Sequence, residues 1–140
     1  MKQFILANFL PYQLSILASG ISKDFSKEYI SRFGINNAEW RIIAHLSQET
    51  EAISIREIYH KVGLEKSKVS RAVSKLAKRK LLSKKVNSND KRLVDLKLTR
   101  VGKEVIDEMK EIAMHFEIRF LQKIESPNTF KNTITALLKD

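Results

Sequence analysis

Apolar residues recur every three or four positions along nearly the whole chain, and this spacing changes only once. The exception is the segment 94–98, VDLKL, in which apolar and charged residues alternate. Spacing of three to four predicts amphipathic helices, whereas strict alternation predicts a half-buried strand. We therefore expect a mainly α-helical α+β protein with one small β-hairpin, and a chain of 140 residues suits a single domain.

Start and stop signals divide the N-terminal half into helices. The first pattern runs from Ile5 to about Phe33, and Pro11 should either start its main helix, with residues 4–10 as a separate turn, or kink it. Gly34 is predicted to end this helix. The segments expected next are a helix capped by Asn36 or Asn37, a connector from Glu49 to Ile53, a helix capped by Ser54 and stopped by Gly63, and a helix from Ser67 to about Lys80.

The C-terminal half begins with the hairpin, predicted as strands 82–86 and 94–98 around the polar turn 87–90. Thr99 can cap a long helix, in which Gly102 costs about 1 kcal/mol relative to Ala, so a close backbone contact is expected there. Ser126 and Pro127 should start a final helix. The inward stripe of the long helix is predicted to contain Val101, Val105, Met109, Ile112, Phe116 and Phe120.

The positive charge is concentrated in the middle of the chain. Residues 56–100 hold 15 Lys/Arg against four Asp/Glu, whereas the remainder holds 11 basic and 12 acidic side chains. A basic segment between neutral flanks indicates a polyanionic partner, most simply nucleic acid. Solubility alone would spread the charge more evenly, and an anionic membrane surface is the other physical option.

Several classes of protein are disfavoured by composition. The chain has no cysteine, which excludes disulfides, Cys-ligated zinc and thiol chemistry and suits a cytoplasmic location. The apolar segment 4–21 follows Lys2 but is interrupted by Asn8, Pro11 and Gln13, which favours an amphipathic helix over a signal peptide or membrane span.

Catalytic signals are equally sparse. His45, His60 and His115 are isolated without metal-ligand spacing, and no Gly-rich phosphate loop occurs. We therefore predict no enzymatic activity, no metal and no cofactor.

Two short helices, a Gly-containing turn and a basic hairpin form a winged helix-turn-helix. With the apolar residues of helix 67–80 turned inward, Arg, Lys and Ser occupy its outer face, where they suit base edges and phosphates in a major groove. The alternative is an ordinary solvated helix, but no acidic residue lies between Lys66 and Asn89 to pair with these cations. The outer face and its margins contain Ser67, Lys68, Ser70, Arg71, Ser74, Lys75 and Lys78.

The hairpin tip, Asp90-Lys91-Arg92, is a second candidate contact. An Arg at a loop tip can enter the narrow, electronegative minor groove, and a carboxylate two residues earlier can hold its guanidinium extended.

These motifs together resemble the multiple antibiotic resistance regulator (MarR) family. The similarity covers nearly the whole chain. It lies in FGI at 33–35, AEWRII at 38–43, ISIREI at 53–58, KVSRAVSKL at 68–76, DKR at 90–92 and LTRVG at 98–102. One departure is Lys80, where the family often has Gly, and this leaves the chain's exit angle from helix 67–80 open.

The resemblance implies a homodimer on a pseudo-palindromic operator. Residues 1–33 and 101–140 would form the dimerisation helices, and residues 34–100 the DNA-binding lobe, with the recognition helix at about 67–80 and the wing at about 82–98. The outer face and the resemblance together assign major-groove contacts to Ser67, Lys68, Ser70, Arg71 and Lys75, wing contacts to Asp90, Lys91 and Arg92, and phosphate contacts to Ser54, Arg56 and Lys78.

The resemblance also implies an effector cleft for a small aromatic or phenolic anion. Candidate lining residues are Tyr12, Ser15, Trp40 and Arg41, since an aromatic ring and a cation suit such a ligand; the alternative is that Trp40 belongs to the core and Arg41 to the surface. The function predicted is a transcriptional regulator that represses or activates by occupying an operator, with repression the preferred case, and that a ligand releases from double-stranded DNA. A nonspecific architectural DNA-binding protein is the alternative, and a membrane-surface protein is disfavoured because the apolar flanks are used in packing.

Overall fold

The computed structural model describes residues 3–140, so Lys2 lies outside the described residues. The chain is mainly α-helical with a small antiparallel sheet, as predicted. In chain order the elements are a 3₁₀ turn (Leu6–Asn8), α1 (Leu10–Phe33), α2 (Asn37–Ser47), β1 (Ile53–Ser54), α3 (Ile55–Val62), α4 (Lys66–Lys78), β2 (Leu82–Val86), β3 (Val94–Leu98), α5 (Arg100–Leu121) and α6 (Pro127–Leu138).

The helix boundaries follow local backbone chemistry. Pro11 lies in the first turn of α1 and a separate 3₁₀ turn precedes it, which confirms the first of the two expectations for this proline. Gly34 and Gly63 end α1 and α3 in the left-handed conformation, with φ of 64° and 70°. Asn36 caps α2 by accepting the Glu39 N–H at 2.9 Å, while the Glu39 carboxylate accepts the Asn36 N–H at 3.1 Å.

The sheet has three strands in the order β1-β3-β2, all antiparallel. Strands β2 and β3 have the predicted bounds and pair from Leu82 with Leu98 to Val86 with Val94. The interpretation of residue 53 as part of a connector was wrong, because Ile53 pairs with Leu96 and forms β1 with Ser54. Two residues are too few to show an alternating pattern, so only the tertiary pairing defines this strand.

The core lies in the middle of the chain, where α2, α3 and α4 pack against β3 and the first half of α5. The predicted α5 stripe was wrong at its start, because Val101 is 51% exposed and Ile106 is buried. The inward face of α5 is centred on Gly102, Ile106 and Met109. Gly102 packs directly against the backbone of Leu81, and its neighbour Val101 is turned to solvent.

The N-terminal and C-terminal helices expose apolar side chains. Most of α1 and the last turns of α6 contribute, with Leu10 62% and Leu138 81% exposed. Ion pairs from Glu28 to Arg119 and from Arg32 to Glu108 hold α1 against α5. Across residues 3–140, no helix has both the length and the apolar content needed to cross a membrane.

Candidate DNA-binding surface

The second helix of the helix-turn-helix, α4, is fixed by its apolar face. Val69, Ala72, Val73 and Leu76 are buried, as predicted, and contact α2 and α3. This burial leaves the opposite face in solvent. The exposed residues of α4 include every side chain predicted to read the major groove, namely Ser67, Lys68, Ser70, Arg71 and Lys75, as well as Ser74 and Lys78.

Among residues 3–140, the cations of α4 have no acidic partner. In the part of the chain that the structure describes, the ion pairs involve none of Lys68, Arg71, Lys75 or Lys78. Unpaired cations on one exposed helix face are available for phosphates and base edges.

The end of α4 differs from the prediction by two residues. The helix stops at Lys78, because Lys80 adopts the left-handed conformation with φ 62° and the Leu81 N–H donates to the Leu76 carbonyl at 2.9 Å. This is the closing geometry that Gly usually provides at a helix end. The Lys in place of Gly therefore leaves the left-handed exit of the chain intact.

The wing tip is held by a compact set of hydrogen bonds. Asn87 Oδ1 accepts the N–H groups of Asn89 at 2.8 Å and Asp90 at 2.9 Å. Asp90 in turn accepts Arg92 Nε at 3.0 Å and Arg92 Nη2 at 3.1 Å, so the predicted carboxylate–guanidinium contact is confirmed. The side chain of Arg92 is nevertheless 86% exposed.

The Asp90–Arg92 contact holds both groups in their charged forms. Hydrogen bonds from the Arg92 side chain, and then from its backbone, hold the pKa of Asp90 below its usual value. The same contact raises the pKa of Arg92 above its usual value. The arrangement thus presents a charged, oriented guanidinium to solvent at the tip of the sheet.

The N-terminus of α3 lies beside the wing. Ser54 caps this helix by accepting the Glu57 N–H at 3.2 Å, and it pairs with Asp95 in the sheet. Arg56, which is exposed in the first turn, is near enough to Asp90 for its charge to contribute to the lowered pKa of that carboxyl. The pairing of β1 with β3 therefore brings two of the predicted phosphate contacts, Ser54 and Arg56, next to the predicted wing contacts.

A groove between α2 and α4 adds residues that the sequence did not single out. It has a volume of about 460 Å³, and Asn37 lies in it together with three predicted DNA contacts, Lys68, Arg71 and Lys75. The sequence identifies the start of α2 only as a capping signal, so its position beside α4 could not be deduced from the local pattern.

A second cavity, of about 510 Å³, receives two of the four predicted effector residues. Trp40 and Arg41 line it, whereas Tyr12 and Ser15 lie exposed on the first turns of α1 and do not. The ring of Trp40 also packs edge-on against Phe25, with centroids 5.2 Å apart. Trp40 is therefore partly buried against the core and also forms a wall of the cavity.

The sequence analysis did not place any of the other ionisable residues of this cavity in it, namely His45, Lys61 and Lys110. Arg41 Nη1 donates to the Val62 carbonyl at 3.3 Å, at the end of α3. Burial, followed by the charge of Lys61, lowers the pKa of His45 below its ordinary value of 6.5. The cavity thus combines an indole wall with an excess of cationic groups.

The fold and this surface together define a winged helix-turn-helix DNA-binding protein. A model of the MarR family matches residues 33–93. A solved MarR/EmrR family transcriptional regulator from Acinetobacter sp. ADP1 is 32% identical over 97% of this chain and 94% of its own, with a TM-score of 0.82. The chain therefore belongs to the MarR family of transcriptional regulators, which bind DNA and are not enzymes.

More distant structures share the fold alone. The apo form of wild-type MarR from E. coli is 18% identical over 99% of this chain and 97% of its own, with a TM-score of 0.75. CouR from Rhodococcus jostii RHA1, solved with p-coumaroyl-CoA bound, is 18% identical over 98% of this chain and 94% of its own, with a TM-score of 0.83. No match is found among curated proteins.

These comparisons confirm the predicted family and the predicted class, a DNA-binding transcriptional regulator. The individual DNA contacts, the division of the chain into two functional parts, the homodimer and the effector stay predictions.

Proposed function

We propose that the protein is a cytoplasmic repressor that occupies a pseudo-palindromic operator as a homodimer and is released by a small aromatic or phenolic anion. The observation that carries the proposal is the set of unpaired cations on the exposed face of α4, next to a wing whose tip presents Arg92. Repression is the simplest result of operator occupancy, because a dimer seated on an operator blocks other proteins from the same DNA, whereas activation would need an additional contact with the transcription machinery.

The uncovered apolar faces of the two flanks support the homodimer. Monomeric proteins rarely leave contiguous apolar patches larger than a few hundred square ångströms in solvent. Residues 1–33 and 101–140 would pair with the same segments of a second copy, leaving 34–100 as the DNA-binding lobe. Most of the exposed large apolar side chains fall in these flanks, among them Phe4, Ile5, Leu6, Phe9, Leu10, Leu14, Ile16, Leu17, Met114, Ile118, Ile134, Leu137 and Leu138.

The major-groove contacts proposed are Ser67, Lys68, Ser70, Arg71 and Lys75. Arg71 is the main reader in this proposal, because a guanidinium can donate to two acceptors of one guanine, a contact typically equivalent to about 1–3 kcal/mol of base discrimination. Lysines and serines on the same face reach either bases or phosphates.

The wing and the start of α3 complete the proposed contacts. Arg92 would enter the minor groove with Asp90 as its orienter, and Lys91 would lie beside it. Ser54, Arg56 and Lys78 would contact phosphates. Their positions around the exposed face of α4 support a footprint in which the wing and the recognition helix meet adjacent grooves.

Selection of bound duplexes from a random pool tests this proposal. An inverted repeat with half-sites about one turn, roughly 34–36 Å, apart is the expected result. Arg71→Ala should then relax base preference at one position of each half-site, whereas Lys78→Ala should weaken binding to every sequence and lower the salt slope by about 0.9 for each phosphate that is no longer neutralised. If both variants instead lose the same affinity for every duplex, the protein is a nonspecific architectural DNA-binding protein.

The cavity beside Trp40 and Arg41 supports release by a ligand. An indole wall and cationic groups suit an aromatic carboxylate or phenolate, and the cavity lies between α2 and α5, at the border of the lobe and the proposed dimerisation helices. A ligand that held the two lobes at another separation would disrupt several DNA contacts at once, because both recognition helices must be in register with the duplex.

Fluorescence anisotropy with the selected duplex measures this release. An aromatic acid that binds the cavity should raise the dissociation constant for DNA, and Arg41→Gln should weaken the effect of that acid. Unchanged operator affinity across a broad panel of aromatic acids would show that the regulator is not inducible by this class.

A further inference from the structure

The C-terminal end of the recognition helix is tied to the end of α1. The guanidinium of Arg79 donates through Nη2 to the Phe33 carbonyl at 2.8 Å and through Nη1 to the Gly34 carbonyl at 3.3 Å. Both acceptors lie where α1 ends, 46 and 45 residues earlier in the chain. A cation at this place also faces the negative end of the α1 dipole.

The residues after Arg79 are tied to the start of α5. The Lys80 carbonyl accepts the Thr99 hydroxyl at 2.6 Å, and the Leu81 carbonyl accepts the Thr99 N–H at 3.1 Å. Gly102 packs so closely on Leu81 that a Cβ there would lie 1.9 Å from its carbonyl oxygen. We name Arg79, Lys80 and Leu81 the junction, because they connect α4 with both α1 and α5.

Arg79 differs from the cations on either side of it. All three side chains are exposed, but among the side-chain contacts of residues 3–140 neither Lys78 nor Lys80 has a hydrogen-bond or ion-pair partner. The guanidinium of Arg79 instead donates two hydrogen bonds to backbone carbonyls at the end of another helix. A two-point contact of this kind fixes an angle as well as a distance, which a lysine ammonium cannot do.

We infer that Arg79 is a positioning residue that transmits the arrangement of α1 to the recognition helix and so sets the half-site spacing that the dimer prefers. The inference rests on the proposed function, in which α1 and α5 pair two copies of the chain. The dimerisation helices fix the separation of the two lobes, and the junction fixes the angle of α4 within each lobe. Without the Arg79 hydrogen bonds, α4 would stay folded on its apolar face but would be less restricted in that angle.

The experiment compares Arg79→Ala and Arg79→Lys with the control Lys78→Ala, each in the chain of 140 residues. Each protein is titrated against the selected inverted repeat and against the same repeat with one base pair added to or removed from its centre, at several salt concentrations. Circular dichroism checks that each variant is folded. Arg79→Lys, which keeps the charge and most of the side chain, covers the case in which Arg79→Ala does not fold.

The expected result is a weaker spacing preference with phosphate binding intact. The spacing preference is the ratio of the affinity for the selected repeat to the affinity for the altered repeat. If this ratio is about tenfold for the unmodified protein, both Arg79 variants should reduce it to about threefold or less, and the salt dependence of their binding should be unchanged. Lys78→Ala should keep the ratio while its slope falls by about 0.9.

Three other results overturn the inference. In the first, both variants keep the spacing preference, Arg79→Ala lowers the salt slope and Arg79→Lys restores it. Arg79 would then be a phosphate contact. An intact preference and an intact slope in both variants would make the Arg79 contacts irrelevant to DNA reading. If the unmodified protein itself shows no spacing preference, the proposed operator binding fails and the inference falls with it.

Discussion

Gly102 is the position where one added methyl group should have the largest effect on this fold. In Gly102→Ala the new Cβ would lie 1.9 Å from the Leu81 carbonyl oxygen and 2.9 Å from its carbonyl carbon. Since such contacts essentially never fall below 3.0 Å, the start of α5 and the junction must separate by about 1 Å. The same oxygen accepts the Thr99 N–H, so the movement also strains the cap of α5.

Two opposing effects determine the magnitude. Alanine in a helix is favoured over glycine by about 1 kcal/mol. Overpacking a rigid contact costs typically about 1–3 kcal/mol, and more when the backbone itself must move. Because the obstacle at Leu81 is a backbone atom, we place the cost near the upper end and expect a net destabilisation of about 2 kcal/mol, or about 4–8 °C in Tm for a chain of this size.

Urea unfolding followed by circular dichroism measures this difference, at one fixed protein concentration because the proposed pairing would add to apparent stability. Gly20→Ala is the matched control, since an added Cβ in the middle of α1 meets no atom of its own chain within 4 Å, and helix propensity alone should then stabilise that chain by up to about 1 kcal/mol. Because α1 belongs to the proposed pairing helices, size-exclusion chromatography checks that this variant has the same oligomeric state as the unmodified protein. A Gly102→Ala protein as stable as the unmodified chain, or more stable, would refute the close approach of α5 to the junction.

Three further perturbations follow from contacts in the lobe. Asn36→Ala removes the capping box with Glu39 and should lower the free energy of unfolding by about 1 kcal/mol, measured by urea titration; no change would mean that the cap is replaced by water. Because burial lowers the pKa of His45, the unfolded chain binds its proton more readily, so stability should be full above pH 6.5 and fall as the pH decreases below it. Melting curves at pH 7.5 and 5.5 should therefore differ less in His45→Gln than in the unmodified protein, and an equal difference would contradict this assignment. Asp90→Asn frees the Arg92 guanidinium and removes a negative charge from the wing, so the affinity ratio of selected to random duplex should fall about threefold in anisotropy titrations; an unchanged ratio would exclude Asp90 as an orienter.

The features that the sequence predicted best depend on a few neighbouring residues. Gly34 and Gly63 end helices because glycine adopts the left-handed conformation readily. Ser54 and Thr99 cap helices because each hydroxyl oxygen accepts the N–H of the residue three positions later. Strands β2 and β3 were found because alternation and a turn signal lie within one short segment. These signals are complete before any tertiary contact forms.

The features that were missed depend on distant parts of the chain. Ile53 became a strand residue only by pairing with Leu96, and α4 ended at Lys78 through the left-handed Lys80. The choice between Val101 and Ile106 as the inward residue of α5 was decided by the close approach at Gly102. Periodicity alone cannot locate a helix face within one residue when a neighbour from another element sets the rotation.

The candidate sites divide in the same way. The residues of the proposed DNA-binding surface lie on consecutive elements of one lobe, so a single pattern found them. The cavity beside Trp40 takes His45 from α2, Lys61 from α3 and Lys110 from α5, and no local pattern links these three elements. Tyr12, which the family resemblance suggested, lies elsewhere on the surface of the single chain.

The separation of charge along the chain also explains how such a basic protein could pair. Two copies of a chain with a net charge of +10 would repel each other strongly if the charge lay at the contact. Residues outside 56–100 are nearly neutral, with 11 basic and 12 acidic side chains, so the proposed pairing faces avoid this cost. The basic lobes would be held about 34 Å apart, several times the screening length of about 8 Å at physiological ionic strength. Their repulsion is therefore small in solution, and phosphates compensate for it further once both lobes are on DNA.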